Sequence, residues 1–171
     1  DSTNAASLRD PQPWKVLTTR HQTAGRGRHA RRWESPPGST VSVSFTVPMP
    51  AVSDAWGWAP LATGVAVVEA LGALTADPGA FALKWPNDVL CRAGSVGEPR
   101  WAKICGILCE AVPTTPYGPL VVLGVGVNVA LREAELPVPT ATSLLLAGLG
   151  VPTQEELVLA LAGAVARRHA Q

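Results

Sequence analysis

Residues 39–47 alternate between polar and apolar side chains, with Val41, Val43, Phe45 and Val47 on one parity and Ser42, Ser44 and Thr46 on the other. A period of two marks a strand with one face in a core, so this segment predicts a half-buried strand. Its polar face carries only small hydroxyls. Such a strand needs partners, and residues 14–20, 81–85, 103–112 and 120–130 are also β-like and separated by turn chemistry. Helical spacing is grouped elsewhere. Residues 2–9 predict a short helix with Asp1 or Ser2 as cap. Asp54 is placed to cap a longer one whose core stripe is Leu61, Val65, Val68, Leu71 and Leu74, and residues 142–147 and 154–168 predict two more. Runs of strands with helices at the beginning, middle and end predict an α+β fold. The sheet is expected to be mixed and mainly antiparallel, with helices packed on one side, and not a doubly wound repeat.

With 171 residues, 47% of them hydrophobic, the chain is expected to form one domain over residues 1–171. A chain of this size buries roughly 70% of its unfolded surface. The formal net charge is +1, which predicts no general attraction to DNA or to a membrane. Gly, Pro or a charge breaks each apolar run short of the roughly 18 residues a membrane span needs, and the opening DSTNAASLRD has no signal-peptide character. The expectation is a soluble, cytoplasmic protein. Cys91, Cys105 and Cys109 contain no C-x-x-C pair and, with the scattered histidines, no zinc ligand set. They read as reduced thiols.

The cations are concentrated instead of spread. Arg20, Arg26, Arg28, Arg31 and Arg32 crowd one loop, whereas lysine occurs only as Lys15, Lys84 and Lys103. Forked guanidinium groups in a loop opened by Gly25 and Gly27 suit a polyanionic ligand, although a solvated basic loop or a nucleic-acid tether would show the same pattern. Lys84-Trp85-Pro86-Asn87-Asp88 puts a cation, an amide and a carboxylate at a strand end, suited to a Mg²⁺-nucleotide or simply to an Asn-Asp turn. Lys103 opens an apolar strand with Gly106 three residues on, and a strand glycine marks a close approach or a bulge. Gly124 and Gly126 leave one strand face bare before Asn128. No serine or histidine stands in a nucleophile context, so any transfer would run by positioning and electrostatics.

Taken in order, Ser2-Thr3-Asn4, Gln22 with Gly25-Arg26-Gly27-Arg28 and Arg31, Lys84 to Asp88, Lys103 with Gly106-Ile107-Leu108, Gly124 to Asn128 and Ala141-Thr142-Ser143-Leu144 resemble the biotin protein ligases. The resemblance runs over nearly the whole chain. It implies the biotin-lipoate ligase catalytic fold, which is like that of class II aminoacyl-tRNA synthetases. It also implies a two-step reaction in which biotin and ATP give biotinyl-5'-AMP, whose acyl group passes to a lysine of a biotin carboxyl carrier protein. A lipoate-type acyl ligase of the same fold and a non-catalytic adenylate-binding domain are the alternatives.

By the same resemblance, Ser2, Thr3, Gln22 and Arg26 border biotin, with backbone help from Gly25 and Gly106. Lys103 bridges the biotin carboxylate and the α-phosphate, and Lys103 and Arg28 are the catalytic pair. Arg28 and Arg31 hold phosphates; Lys84, Asn87 and Asp88 serve ATP, with Asp88 near Mg²⁺; Trp33 packs on the adenine; and Asn128 hydrogen-bonds the nucleotide. The arginine loop is expected to be mobile when empty, because five cations need an anion to settle. A monomer or homodimer is expected. Against the family pattern, the sequence starts at the Ser-Thr-Asn motif with no DNA-binding segment before it, and it stops where a small β-barrel domain usually follows. Ala30 replaces a glycine, which is expected to stiffen the loop, and residues 89–102 form a link longer than usual.

Overall fold

The computed structural model describes residues 1–51, 53–94 and 100–169, with the backbone alone for residues 53–55. The order is α1 (Thr3–Arg9), β1 (Val16–Thr19), β2 (Thr40–Pro48), α2 (Ala59–Thr75), β3 (Phe81–Lys84), β4 (Asp88–Ala93), β5 (Arg100–Val112), β6 (Leu120–Asn128) and α3 (Gln154–His169). The strands form one six-stranded sheet in the order β1-β2-β6-β5-β4-β3, and every pairing between them is antiparallel. A single parallel bridge, Lys103 with Ala141, lies outside the named strands.

One face of the sheet is the core. Val41, Val43, Phe45 and Val47 of β2, Val121, Leu123, Val125 and Val127 of β6, and Ile104, Cys105 and Ile107 of β5 are buried there with residues of α2 and α3. The other face takes α1, which begins at Ser2, whose side chain accepts from the Ala5 amide. β2 is therefore buried on both faces, not one. Its hydroxyl parity is covered by α1, and a small polar side chain tolerates burial when it finds partners.

The helices correct the sequence reading in three places. In α2 the buried side is Ala66, Val67, Ala70 and Leu71; of the predicted stripe only Leu71 is fully buried, and Leu61, Val65, Val68 and Leu74 are half-exposed. Small residues let the helix sit close to the sheet, while Val68 and Leu74 of the stripe pack against the core from its margin. The Asp54 side chain lies outside the described residues, and Trp58 occupies the N-cap position without a side-chain hydrogen bond. Residues 142–147 make only a turn: the Ala147 amide donates to Ser143 O, and Gly148 at φ 70° ends it. The segment Trp56–Thr75 does have the length and composition of a membrane span, contrary to the sequence reading, and its helix packs on α3 and the sheet.

Residues 89–102 are not a plain link. They hold most of β4 and the start of β5, antiparallel to each other, with residues 95–99 between them outside the description.

Candidate functional site

The site face is built by an irregularity in the β4–β5 ladder. Val89 pairs with Cys105, but Leu90 pairs with Lys103, so Ile104 is an extra residue on β5. A bulge of this kind lets two residues of odd spacing share a face. Ile104 and Cys105 both go into the core, while Lys103 and Gly106, three apart in sequence, both line the cavity. Lys103 Nζ is 2.6 Å from Asp88 Oδ1 and 5.8 Å from the centre of the Trp33 ring.

The arginine loop is a miniature hairpin. Trp33 N donates to Gly25 O at 3.0 Å, Gly27 N donates to Arg31 O at 2.8 Å, and Arg26 bridges Arg32. A Cβ on Gly25 would lie 2.0 Å from Trp33 O, so the backbones could not approach with any other residue there. The hairpin tip is strained: His29 and Ala30 have φ of 54° and 59°, in the left-handed region that disfavours side chains. Arg26 pairs with Glu110 at 2.8 Å, Arg28 donates to Asn87 Oδ1 at 3.2 Å, and Arg32 pairs with Glu34 at 3.0 Å. Two of the five arginines, Arg26 and Arg32, thus have carboxylate partners within the chain itself. Among the described residues Arg20, Arg28 and Arg31 form no ion pair.

At the α1 end the groups bond to one another. Gln22 Oε1 accepts from the Thr3 amide at 2.8 Å, and Gln22 Nε2 donates to Ser42 Oγ at 3.0 Å. Ser44 Oγ lies 2.8 Å from Thr3 Oγ1 and 2.6 Å from Asn4 Oδ1. Gly124 is bare to admit Asn4, since a Cβ there would lie 2.2 Å from Asn4 Oδ1.

One cavity of about 780 Å³ joins these parts. Of the residues singled out in the sequence, Ser2, Thr3, Gln22, Arg26, Arg28, Arg31, Trp33, Lys84, Asn87, Asp88, Lys103, Gly106 and Asn128 all line it. Gly25 does not; it is buried beneath the hairpin and serves the loop's own fold. The clearance over Gly106 and Gly126 holds the Trp33 ring, whose carbons would lie 2.9 Å and 2.6 Å from added Cβ atoms. Trp33 is thus part of the cavity floor, and its buried indole N–H has no partner. The Asn128 amide donates to Thr142 O at 2.9 Å, which uses one of its two N–H groups and fixes the side chain in the wall.

Sequence reasoning gave no role to Ser42, Leu90, Trp101 or Val138, which also line the cavity. The backbone of Lys103 is held by the segment around Ala141, where Lys103 N donates to Thr140 O and Thr142 N to Lys103 O, each at 2.8 Å.

No group of three His, Cys, Asp or Glu side chains able to hold a metal occurs among the described residues. Cys91, Cys105 and Cys109 are free, and burial pushes their thiols up to about 11, 12 and 12, which removes them as nucleophiles near neutral pH.

The fold and cavity have known counterparts. The chain is 43% identical over 144 residues to the biotin--[acetyl-CoA-carboxylase] ligase of Mycobacterium tuberculosis, covering 83% of this chain and 49% of that protein. It is 34% identical over 135 residues to the same-named ligase of Paracoccus denitrificans, covering 76% and 52%. The chain therefore spans about half the length of these curated relatives. A biotin protein ligase from Aquifex aeolicus solved with biotin and ATP superposes with a TM-score of 0.77 at 27% identity, covering 99% of this chain and 67% of that one. Residues 1–128, which carry α1, the arginine hairpin, the Asn-Asp turn, the bulged β5 and the glycines of β6, match the model of the biotin/lipoate A/B protein ligases, and it is to that family that the chain belongs.

Proposed function

We propose that this chain activates biotin with ATP to biotinyl-5'-AMP and passes the acyl group to a lysine of a biotin carboxyl carrier protein. The observation that carries this reading is the position of Lys103. The bulge puts Lys103 on the cavity face of β5, in a lining that it shares with the hydrogen-bonding groups Thr3 and Gln22 and with the cations Arg28 and Arg31. Two anionic reactants that must meet need a fixed cation between them.

In the first step a biotin carboxylate oxygen attacks the α-phosphorus of ATP and pyrophosphate leaves. Asp88 holds Lys103 Nζ in place beforehand, at 2.6 Å. Lys103 then offsets the carboxylate and the α-phosphate, while Arg28, Arg31 and Lys84 take phosphate charge. Asn87 orients Arg28 and is itself anchored, donating to Ile107 O at 2.8 Å. Asp88, the carboxylate that lines the cavity, would be the residue to hold a magnesium ion brought by the nucleotide, which would offset phosphate charge. In the second step the neutral amine of the carrier lysine attacks the acyl carbon and AMP leaves. Ser2, Thr3, Gln22 and Arg26 frame the biotin end, and Trp33, seated over Gly106 and Gly126 in the cavity floor, packs on the adenine. The free thiols suit the reducing cytoplasm.

Calorimetric titration with biotin, then with ATP and magnesium, and mass analysis of what stays bound tests this. Retained biotinyl-5'-AMP is the expected result. Binding of lipoate in place of biotin would move the assignment to the sister activity, and binding of neither would overturn it.

A further inference from the structure

Glu110 is the one acidic side chain on the site face of β5, in a stretch otherwise apolar or glycine, and its side chain is only 20% exposed. A half-buried carboxylate costs free energy unless it is paired and hydrogen-bonded. Glu110 is both. Its Oε1 takes Arg26 Nη2 at 2.8 Å, and its Oε2 accepts from Asn4 Nδ2 at 2.9 Å. Asn4 in turn donates to Leu108 O at 3.1 Å and lies against Ser44. One carboxylate therefore joins three segments far apart in sequence: the start of α1, the sheet, and the arginine hairpin.

The hairpin has few other side-chain moorings. Its tip is held by Arg28 on Asn87, and its far end by Trp33 seated over Gly106 and Gly126. The strand that leads from Gln22 into the tip is moored by Arg26 alone among its charged residues. Strain at His29 and Ala30 works against the closed shape, so the hairpin needs a mooring on each side.

We infer that Glu110 is a positioning residue: it latches the arginine hairpin closed over the cavity through Arg26 and ties that closure to Asn4 beneath Thr3. The latch does not depend on which ligand the cavity takes. Its consequence for biotin rests on the function proposed above: with Arg26 and α1 held by one carboxylate, the biotin end is preformed before the ligand arrives.

The hairpin carries its own reporter, because trypsin cleaves after arginine. The test is native trypsin digestion of the ligand-free chain, with cuts mapped by mass, for the wild type, Glu110→Gln and Glu110→Asp. Glutamine keeps an oxygen for Asn4 but not the charge for Arg26. Cleavage between Arg26 and Arg32 is expected to speed up about tenfold in Glu110→Gln, with cuts elsewhere and the melting temperature unchanged. Glu110→Asp should fall between the two, which a general loss of structure would not produce. Equal cleavage of the hairpin in all three proteins would overturn the latch, and so would acceleration spread evenly over the chain. Biotin titration then separates the two proposals. If the wild type binds biotin, Glu110→Gln should bind it about tenfold more weakly, with the maximal adenylation rate kept at saturation. If the wild type binds none, the ligase reading fails and the digestion still decides the latch.

Discussion

Along β2 the side chains of one parity, Val43 and Phe45 among them, enter the core beneath α3, and those of the other, Ser42 and Ser44, meet Gln22, Thr3 and Asn4. The same strands thus build two interfaces by different means. The core face is held by close-packed aliphatic groups and the site face by hydrogen bonds, ion pairs and glycine clearances. Burial per residue is similar on the two sides of β2, so exposure alone would not tell them apart. What differs is what a lost group leaves behind: a cavity on one face, an unpaired polar group or a moved ligand contact on the other.

The sharpest way to break this contrast is Lys103→Ala. With its side chain 32% exposed, the lysine adds little to the fold, so adenylate formation should fall about a hundred- to a thousandfold in a pyrophosphate-release assay while melting barely moves. A large loss of stability instead would put Lys103 among the structural residues. The converse variant is Leu161→Ala on α3, fully buried in the core. It should cost about 3 kcal/mol in urea unfolding and leave the activity of the folded fraction unchanged. Gly124→Ala tests the border between the faces. The new Cβ would meet Asn4 Oδ1, so about 1–3 kcal/mol of stability should go, together with biotin affinity. If it were neutral, the Asn4 network would not be rigid.

Two smaller effects sharpen the comparison. Ala30→Gly removes a side chain from a left-handed backbone, which relieves roughly 1 kcal/mol of local strain and should slow tryptic cleavage of the hairpin without altering core stability. On the core side, burial pushes the His169 imidazole below its ordinary 6.5, with Nε2 3.2 Å from Thr63 Oγ1. The unfolded chain then takes up the proton first, so stability is intact above about pH 6.5 and declines as pH falls below it. His169→Gln should flatten that part of the pH–melting curve.

Most of the site was legible because its chemistry is carried by residue types that are rare elsewhere in the chain: glycines in strands, clustered arginines, and two of the three lysines. The exceptions share a cause. Gly25 looks like a ligand glycine, but the need it meets is a backbone contact with Trp33, visible only once the loop folds back. Glu110 gained a role only through Asn4 and Arg26, 106 residues away and on another loop respectively. The turn at 142–147 has helical spacing but is stitched to β5 and β6 by its backbone, and a local pattern cannot reveal that competition. β4 was hidden because six residues ahead of a glycine read as well for a link as for a strand.

The offset at Ile104 makes the position of Lys103 a discrete choice instead of an adjustable one. Changes in chain length ahead of Arg100 fall before the offset, so they leave the parity of Lys103 relative to Gly106 as it is. With all four residues from Lys103 to Gly106 kept, a regular strand without the offset would instead turn the lysine over, toward the aliphatic layer under α2. Within these four residues the odd spacing and the offset have to go together: either one without the other would put the ammonium on the wrong face of the sheet.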